Sequence, residues 1–141
     1  MNVAVKYHAD ITPLELTEKG DWCDLRVAED YELKAGEFKI LSLGVSMKLP
    51  DGYEALVVPR SSTFKNWGIL QTNHCGVIDN SYCGDGDVWG FPALATRDVL
   101  IEKNSRICQF RIQKKMPSVK FVETDHLGNK ERGGFGSSGK V

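Results

Sequence analysis

Nowhere in this 141-residue chain do apolar residues repeat at helical spacing for more than about two turns. Short apolar or alternating runs recur instead, with turn residues between them about every 8 to 12 positions, the pattern of a sandwich, barrel or jelly roll. The runs read as strands are Val3–Tyr7, Trp22–Val27, Phe38–Leu43, Val45–Leu49, Tyr53–Val58, Val99–Ile101 and Ile107–Ile112, with Glu32–Lys34 and a Gly36 turn leading into Phe38 and Ile69–Asn73 leading into a later hairpin. Pro50-Asp51-Gly52 and Lys103-Asn104-Ser105 supply turns, and Pro59 closes the strand before it. The expectation is an all-β fold, a distorted jelly roll, with one short helix between Ser61 and Trp67 that Ser61 or Ser62 could cap.

Two polar residues stand inside apolar runs and call for an explanation. Asp24 is either at a strand end or has a partner, and Gln109 needs one too. Gly76-Val77-Ile78-Asp79-Asn80-Ser81-Tyr82-Cys83-Gly84 reads as a tight hairpin with Asn80-Ser81 at its tip. Its glycines let another molecule approach the backbone, and Asp79 and Tyr82 flank the turn, so the segment reads as the wall of a pocket. Outward-pointing helix amides, the hydroxyls of Ser61 and Ser62 and the Arg60 fork together suit a phosphate cradle. The aromatics of Trp89-Gly90-Phe91-Pro92 are expected in the core.

From Glu131 onward the chain changes character. Arg132-Gly133-Gly134-Phe135-Gly136-Ser137-Ser138-Gly139-Lys140-Val141 is mostly Gly and Ser and cannot fold alone. It divides the chain into a β domain, residues 1–130, and an arm, residues 131–141. The arm is either a disordered tail or a lid, because an arginine, a lone aromatic and two hydroxyls spaced by glycines are what a lid over a phosphorylated base needs.

A net charge of −1 with both signs interspersed leaves no footprint for nucleic acid or an anionic membrane. The N-terminus lacks a signal-peptide core and no apolar run approaches a membrane span, so the cytoplasm is the expected location. Cys23, Cys75, Cys83 and Cys108 form no CxxC pair and are expected as free thiols, while His8, His74 and His126 are isolated.

Taken together, these pieces resemble the homotrimeric deoxyuridine triphosphatases, whose five motifs appear in order. Asp24-Leu25-Arg26 is similar to the first and Pro59-Arg60-Ser61-Ser62 to the second. Gly76-Val77-Ile78-Asp79 with Tyr82 and Gly84 resembles the third, Arg106-Ile107-Cys108-Gln109 the fourth, and Arg132 through Gly139 the fifth. The Trp- and Phe-rich stretch after the third motif resembles the enzymes of Gram-positive bacteria and their prophages. Asp21-Trp22 replaces the usual Ala-Gly, Asn104-Ser105 the usual Gly-Asp or Gly-Glu, Cys108 a common Ala and Ser138 a common Thr; none of these removes a reacting group. A dCTP deaminase shares the fold and the cradle, but needs a catalytic Glu near the base and a different third motif.

The resemblance implies hydrolysis of dUTP to dUMP and pyrophosphate, with Asp79 activating water and Tyr82 excluding a 2′-hydroxyl. It implies that the backbone of Gly76, Val77 and Ile78, with Asn73, reads uracil. Arg60, Ser61, Ser62 and Gln109 would hold phosphates, and Asp24 would meet Mg²⁺ through water. Arg132, Gly136, Ser137 and Ser138 would close on the γ-phosphate while Phe135 stacks on the base. A homotrimer with shared sites is implied as well. A regulatory second role, such as binding a repressor, has no signature to read.

Overall fold

The computed structural model describes residues 1–141. Eleven strands form: β1 Ala4–Tyr7, β2 Cys23–Arg26, β3 Tyr31–Leu33, β4 Phe38–Ser42, β5 Val45–Lys48, β6 Tyr53–Pro59, β7 Ile69–Gln71, β8 Gly76–Ile78, β9 Gly90–Ala95, β10 Val99–Ile101 and β11 Arg106–Lys114. A single helix, α1, runs from Thr63 to Trp67. Every strand pairing is antiparallel. The sheets are small, a four-stranded β2-β11-β6-β8, a three-stranded β4-β9-β7 and the pairs β1-β5 and β10-β3, wrapped around one core in a distorted jelly roll. No helix is long and apolar enough to cross a membrane.

Alternation in the sequence fixes which side of each strand enters the core. In β9, Phe91, Ala93 and Ala95 point inward while Gly90, Pro92 and Leu94 are only half-buried. Trp89 and Phe91 are fully buried, and Trp89 meets Phe110 edge to face at 5.2 Å, so both aromatics are core residues as expected. Burial of each such side chain contributes about 1.5–3 kcal/mol. Cys23 and Cys108 also pack in this core, and none of the four cysteines is bonded to another.

The helix ends on Gly68, whose left-handed φ of 62° lets its amide reach the Phe64 carbonyl. Its start differs from the expectation. Ser62 occupies the N-cap position but its hydroxyl makes no capping bond. Thr63, buried inside the first turn, takes over instead: its Oγ1 accepts from the Arg60 amide at 2.8 Å and donates to the Ile107 carbonyl at 2.9 Å. A tertiary contact with β11 thereby replaces a local cap.

The expected hairpin forms only in part. Asn80 and Ser81 do make the tip, closed by the Tyr82 amide on the Asp79 carbonyl at 3.0 Å, but no strand returns from it. Two side chains account for this. The Asn80 amide group lies 2.8 to 3.2 Å from the carbonyls of Leu49, Pro50 and Tyr53, which fastens the turn to the β5–β6 corner. The Gly84 amide is taken by Asp87 Oδ2 at 2.8 Å, leaving it nothing to donate across a ladder. Strand β8 pairs with β6 instead, Gly76 opposite Val57 and Ile78 opposite Ala55.

Candidate functional site

Strand β8 is the last in its sheet, so one of its edges carries unpaired backbone groups. Immediately beyond it a groove of about 360 Å³ opens between Ile78, Asp79, Ser81 and Tyr82 on one side and Val88, Trp89 and Gly90 on the other. That volume lies in the range of small-ligand sites. Val77 is exposed and Ile78 half-buried along its wall.

Asp79 faces solvent on the turn. The Ser81 hydroxyl donates to its Oδ2, and the Ser81 amide donates to the same oxygen at 3.1 Å. These two bonds, then the Asn80 amide and the Lys115 charge, hold the Asp79 carboxyl below its ordinary value near 3.8 against a small opposing effect of burial. The group is therefore ionised throughout the neutral range. Tyr82, 40% exposed, has its hydroxyl donating to the Val88 carbonyl at 3.2 Å, which fixes the ring beside Asp79.

A second cluster forms where β2, β6 and β11 meet. Asp24 lies within β2, half-buried, and has two partners: Arg60 Nε at 3.1 Å from Oδ1 and Arg106 Nη1 at 3.4 Å from Oδ2. Its place between apolar neighbours is thus explained by partners and not by a strand end. Arg60 Nη1 also donates to the Arg106 carbonyl at 3.2 Å, and Gln109, directly across from Asp24 in the ladder, donates to the Pro59 carbonyl at 3.1 Å. Ser61 and Ser62 follow Arg60 at the start of α1, one exposed and one half-buried.

The remaining residues lie apart from both clusters. Asn73 sits in the exposed loop before β8. Regular structure ends at Lys114, and residues 115–141 are exposed throughout. On this arm Phe135, Gly136, Ser137 and Ser138 lie in two tight turns, Gly134 to Ser137 and Gly136 to Gly139, and Arg132 precedes them in irregular chain. No side-chain hydrogen bond or ion pair joins the groove, the Asp24 cluster and the arm within the chain. Three residues that make side-chain bonds in or beside these clusters had no role assigned from sequence. Arg106 was visible only as the first residue of a motif, Ser81 only as a turn residue, and Thr63 carried no signal, since its role depends on a strand 44 residues away.

No group of three His, Cys, Asp or Glu side chains converges anywhere in the chain. A closed metal cage is therefore not built from it, and Asp24 is the acidic group set among phosphate-type donors.

The dUTPase family model matches residues 18–139. The SPbeta prophage-derived deoxyuridine 5'-triphosphate nucleotidohydrolase YosS of Bacillus subtilis is 59% identical over 140 residues, covering 99% of each chain. The deoxyuridine 5'-triphosphate nucleotidohydrolase of Streptomyces avermitilis is 39% identical over 118 residues, 82% of this chain and 67% of that one. Among solved structures, a mutant of Staphylococcus bacteriophage 80alpha dUTPase with dUpNHpp superposes with a TM-score of 0.79 at 22% identity, covering 99% of both chains. A mutant dUTPase from phage phi11 of S. aureus, determined with a structural Mg(II) ion, superposes with a TM-score of 0.75 at 18% identity over 89% of this chain and 99% of that one. At those identities the superpositions establish the fold, and the sequence matches establish the rest: the chain belongs to the dUTPase family.

Proposed function

We propose that the chain hydrolyses dUTP to dUMP and pyrophosphate, with the nucleoside in the groove at β8 and the triphosphate running toward Arg60. One observation carries this reading: an ionised carboxylate, a tethered phenol ring and an unpaired strand edge converge on one groove. The backbone amides and carbonyls along Gly76, Val77 and Ile78 that point away from β6 offer donors and acceptors that a uracil edge complements. Cytosine would set its amino group against a backbone donor, and a buried donor without a partner costs about 1–3 kcal/mol. Asn73, at the entrance to β8, would complete the base contact.

Asp79 would orient a water molecule in line with the α-phosphorus and accept its proton as the P–O bond forms, while the α–β bridging oxygen leaves with pyrophosphate. Its Oδ2 is already engaged by Ser81, so Oδ1 is the oxygen for the water. Tyr82 would pack on the deoxyribose and exclude a 2′-hydroxyl. Arg60, Ser61, Ser62 and Gln109 would hold the phosphates. Mg²⁺ suits this donor set, one hard carboxylate at Asp24 acting through water with the substrate's own oxygens, and when bound it would neutralise charge on the leaving pyrophosphate.

Arg132, Gly136, Ser137 and Ser138 would fold over the γ-phosphate, with Phe135 on the uracil, making residues 131–141 a lid on the domain formed by residues 1–130. Completion of each site by neighbouring copies in a homotrimer is part of the proposal. It is supported by an apolar outer face on β4-β9-β7, where Phe38, Leu94 and Leu70 stand in one row beside Ile40 and Pro92. Pyrophosphate release from dUTP, dCTP, dTTP and UTP, with and without Mg²⁺, tests the reading. The expected result is strong preference for dUTP, dependence on Mg²⁺ and loss of activity in Asp79→Asn. Comparable turnover of dCTP or dTTP, or full activity of Asp79→Asn, overturns it, and a fully active monomer in sedimentation overturns the shared site.

A further inference from the structure

Only two polar side chains are buried in this core, and Thr63 has been accounted for above; the other is Ser46 on β5, 4% exposed. Its hydroxyl donates to the Asp87 carbonyl at 2.8 Å, with the Asp85 carbonyl farther off at 3.4 Å. His8 Nε2, from the end of the neighbouring strand β1, lies 2.9 Å from the same hydroxyl. With the serine proton committed to Asp87, the imidazole is left as donor and the hydroxyl as acceptor. Apart from an exposed Lys6–Asp85 ion pair at 3.9 Å, this is the one side-chain bond from the body of the protein to the loop Gly84–Val88.

The loop is itself a closed knot. Asp87 Oδ2 accepts the Gly84 amide and the Asp87 amide returns to the Gly84 carbonyl at 3.1 Å, while a Cβ on residue 84 would lie 2.9 Å from that carboxylate. Ser46 therefore holds the loop at Asp87, and the Trp89 amide, bonded to the Val45 carbonyl at 2.8 Å, holds the next peptide group, whose oxygen is the Val88 carbonyl that receives the Tyr82 hydroxyl. The turn bearing Asp79 has its own anchor in the Asn80 amide. The reacting carboxylate and the ring beside it are thus fastened to the body through separate residues.

We infer that Ser46, backed by His8, is a positioning residue for sugar selectivity: it holds the Gly84–Asp87 turn and, together with the Trp89 amide on Val45, places the Val88 carbonyl that keeps the Tyr82 ring against the deoxyribose. This rests on the proposed assignment of Tyr82 as the group that excludes a 2′-hydroxyl. Removing the link leaves the Val88 carbonyl on the Trp89 anchor alone and loosens the ring toward a ribose, while Asp79 stays in place.

The test is the ratio of kcat/KM for dUTP to that for UTP, measured on the full chain with Mg²⁺. Loss of one hydrogen bond in this chain should lower the ratio about fivefold to tenfold in Ser46→Ala, with kcat for dUTP within about twofold of native. Asp87→Ala, at a half-buried position with less risk to folding, leaves the carbonyl that Ser46 reaches but opens the Gly84–Asp87 turn built on it, and should also lower the ratio, whereas Asp87→Asn, which keeps an acceptor for Gly84, should restore it. In a Tyr82→Phe background, Ser46→Ala should add nothing further. An unchanged ratio in Ser46→Ala, or full additivity with Tyr82→Phe, overturns the inference. Absence of dUTP hydrolysis by the native chain would instead overturn the proposed function.

Discussion

Thr63→Val exchanges a hydroxyl for a methyl of the same shape and cuts two bonds together. The Arg60 amide loses its acceptor and the Ile107 carbonyl loses its donor, at a residue that is 1% exposed. With each unsatisfied group costing about 1–3 kcal/mol, and the Arg60 amide able to recover some of its loss to water, the sum is about 2–4 kcal/mol. For a chain of this length that lowers Tm by about 6–12 °C. Ser62→Ala is the matched comparison. An N-cap serine ordinarily contributes about 1 kcal/mol, but this hydroxyl makes no capping bond, so the loss should stay below about 0.5 kcal/mol. Both variants are compared with native protein by thermal and urea denaturation at one protein concentration, since self-association shifts Tm. Steady-state kinetics run well below the transitions then separate the roles. KM for dUTP should rise in both variants, through a displaced Arg60 in the first and a lost phosphate contact in the second. Equal destabilisation of the two variants, or a larger loss in Ser62→Ala, would refute the claim that β11 anchors this helix.

Ser81→Ala removes the largest of the effects that depress the Asp79 carboxyl, so the group should titrate at higher pH and the acidic limb of the kcat/KM profile should move upward. The stability contribution has the matching sign: a depressed folded value stabilises above about 3.8 and is lost as pH falls through the folded value, so Ser81→Ala should narrow the acid-stable range; an unmoved limb would detach Ser81 from Asp79. Truncation before Arg132 should slow dUTP hydrolysis by orders of magnitude and leave Tm within about 2 °C, because residues 115–141 bury nothing; unchanged turnover would make the arm dispensable. Alkylation of the native protein should label Cys83 first and Cys75 next. Burial pushes the thiol of Cys108 far up and that of Cys23 up as well, so both should label only on unfolding, and early loss of either thiol would contradict the packing of the core.

How far the fold could be read from sequence depended on how local each determinant was. The alternation of Val45–Lys48 is visible in a short window, and Val45 and Met47 do face inward, but Ser46 is buried as well because its hydroxyl takes the Asp87 carbonyl; Gly90–Ala95 forms a strand that was not read from the sequence. The returning arm of the Gly76–Gly84 hairpin was not readable as absent. Val77-Ile78-Asp79-Asn80 suits a hairpin locally, but the Asn80 amide group is claimed by carbonyls of residues 49, 50 and 53, which come together only in the folded chain. The cap by Thr63 and the ion pair of Arg106 with Asp24 escaped for the same reason, each joining residues 44 or 82 positions apart. At the candidate site, residue identities in order were informative where pairings were not. Asp79 and Tyr82 were placed together from sequence, whereas the Ser81 hydroxyl on Asp79 and the loop behind Tyr82 required coordinates.

Charge explains why neither cluster could work alone. The cradle around Asp24 holds two guanidiniums against one carboxylate, a net single positive charge, whereas a nucleoside triphosphate brings about four negative charges at neutral pH. The groove would worsen the imbalance, because the proposed reading sets the α-phosphate beside the Asp79 carboxylate. Water screens that repulsion while the site is open, but water at the phosphorus also removes the benefit of fixed donors. A closing segment that carries its own cation resolves both difficulties at once, and Arg132 sits on a stretch rich enough in glycine to reach over an exposed groove. On the proposed reading the remaining charge would fall to a divalent ion on the substrate. On this argument the arm truncation and Mg²⁺ withdrawal act on the same shortage, so their effects should be non-additive: the truncated chain should lose less on Mg²⁺ removal than the native chain does. Independent, multiplying losses would mean that arm and ion serve different steps.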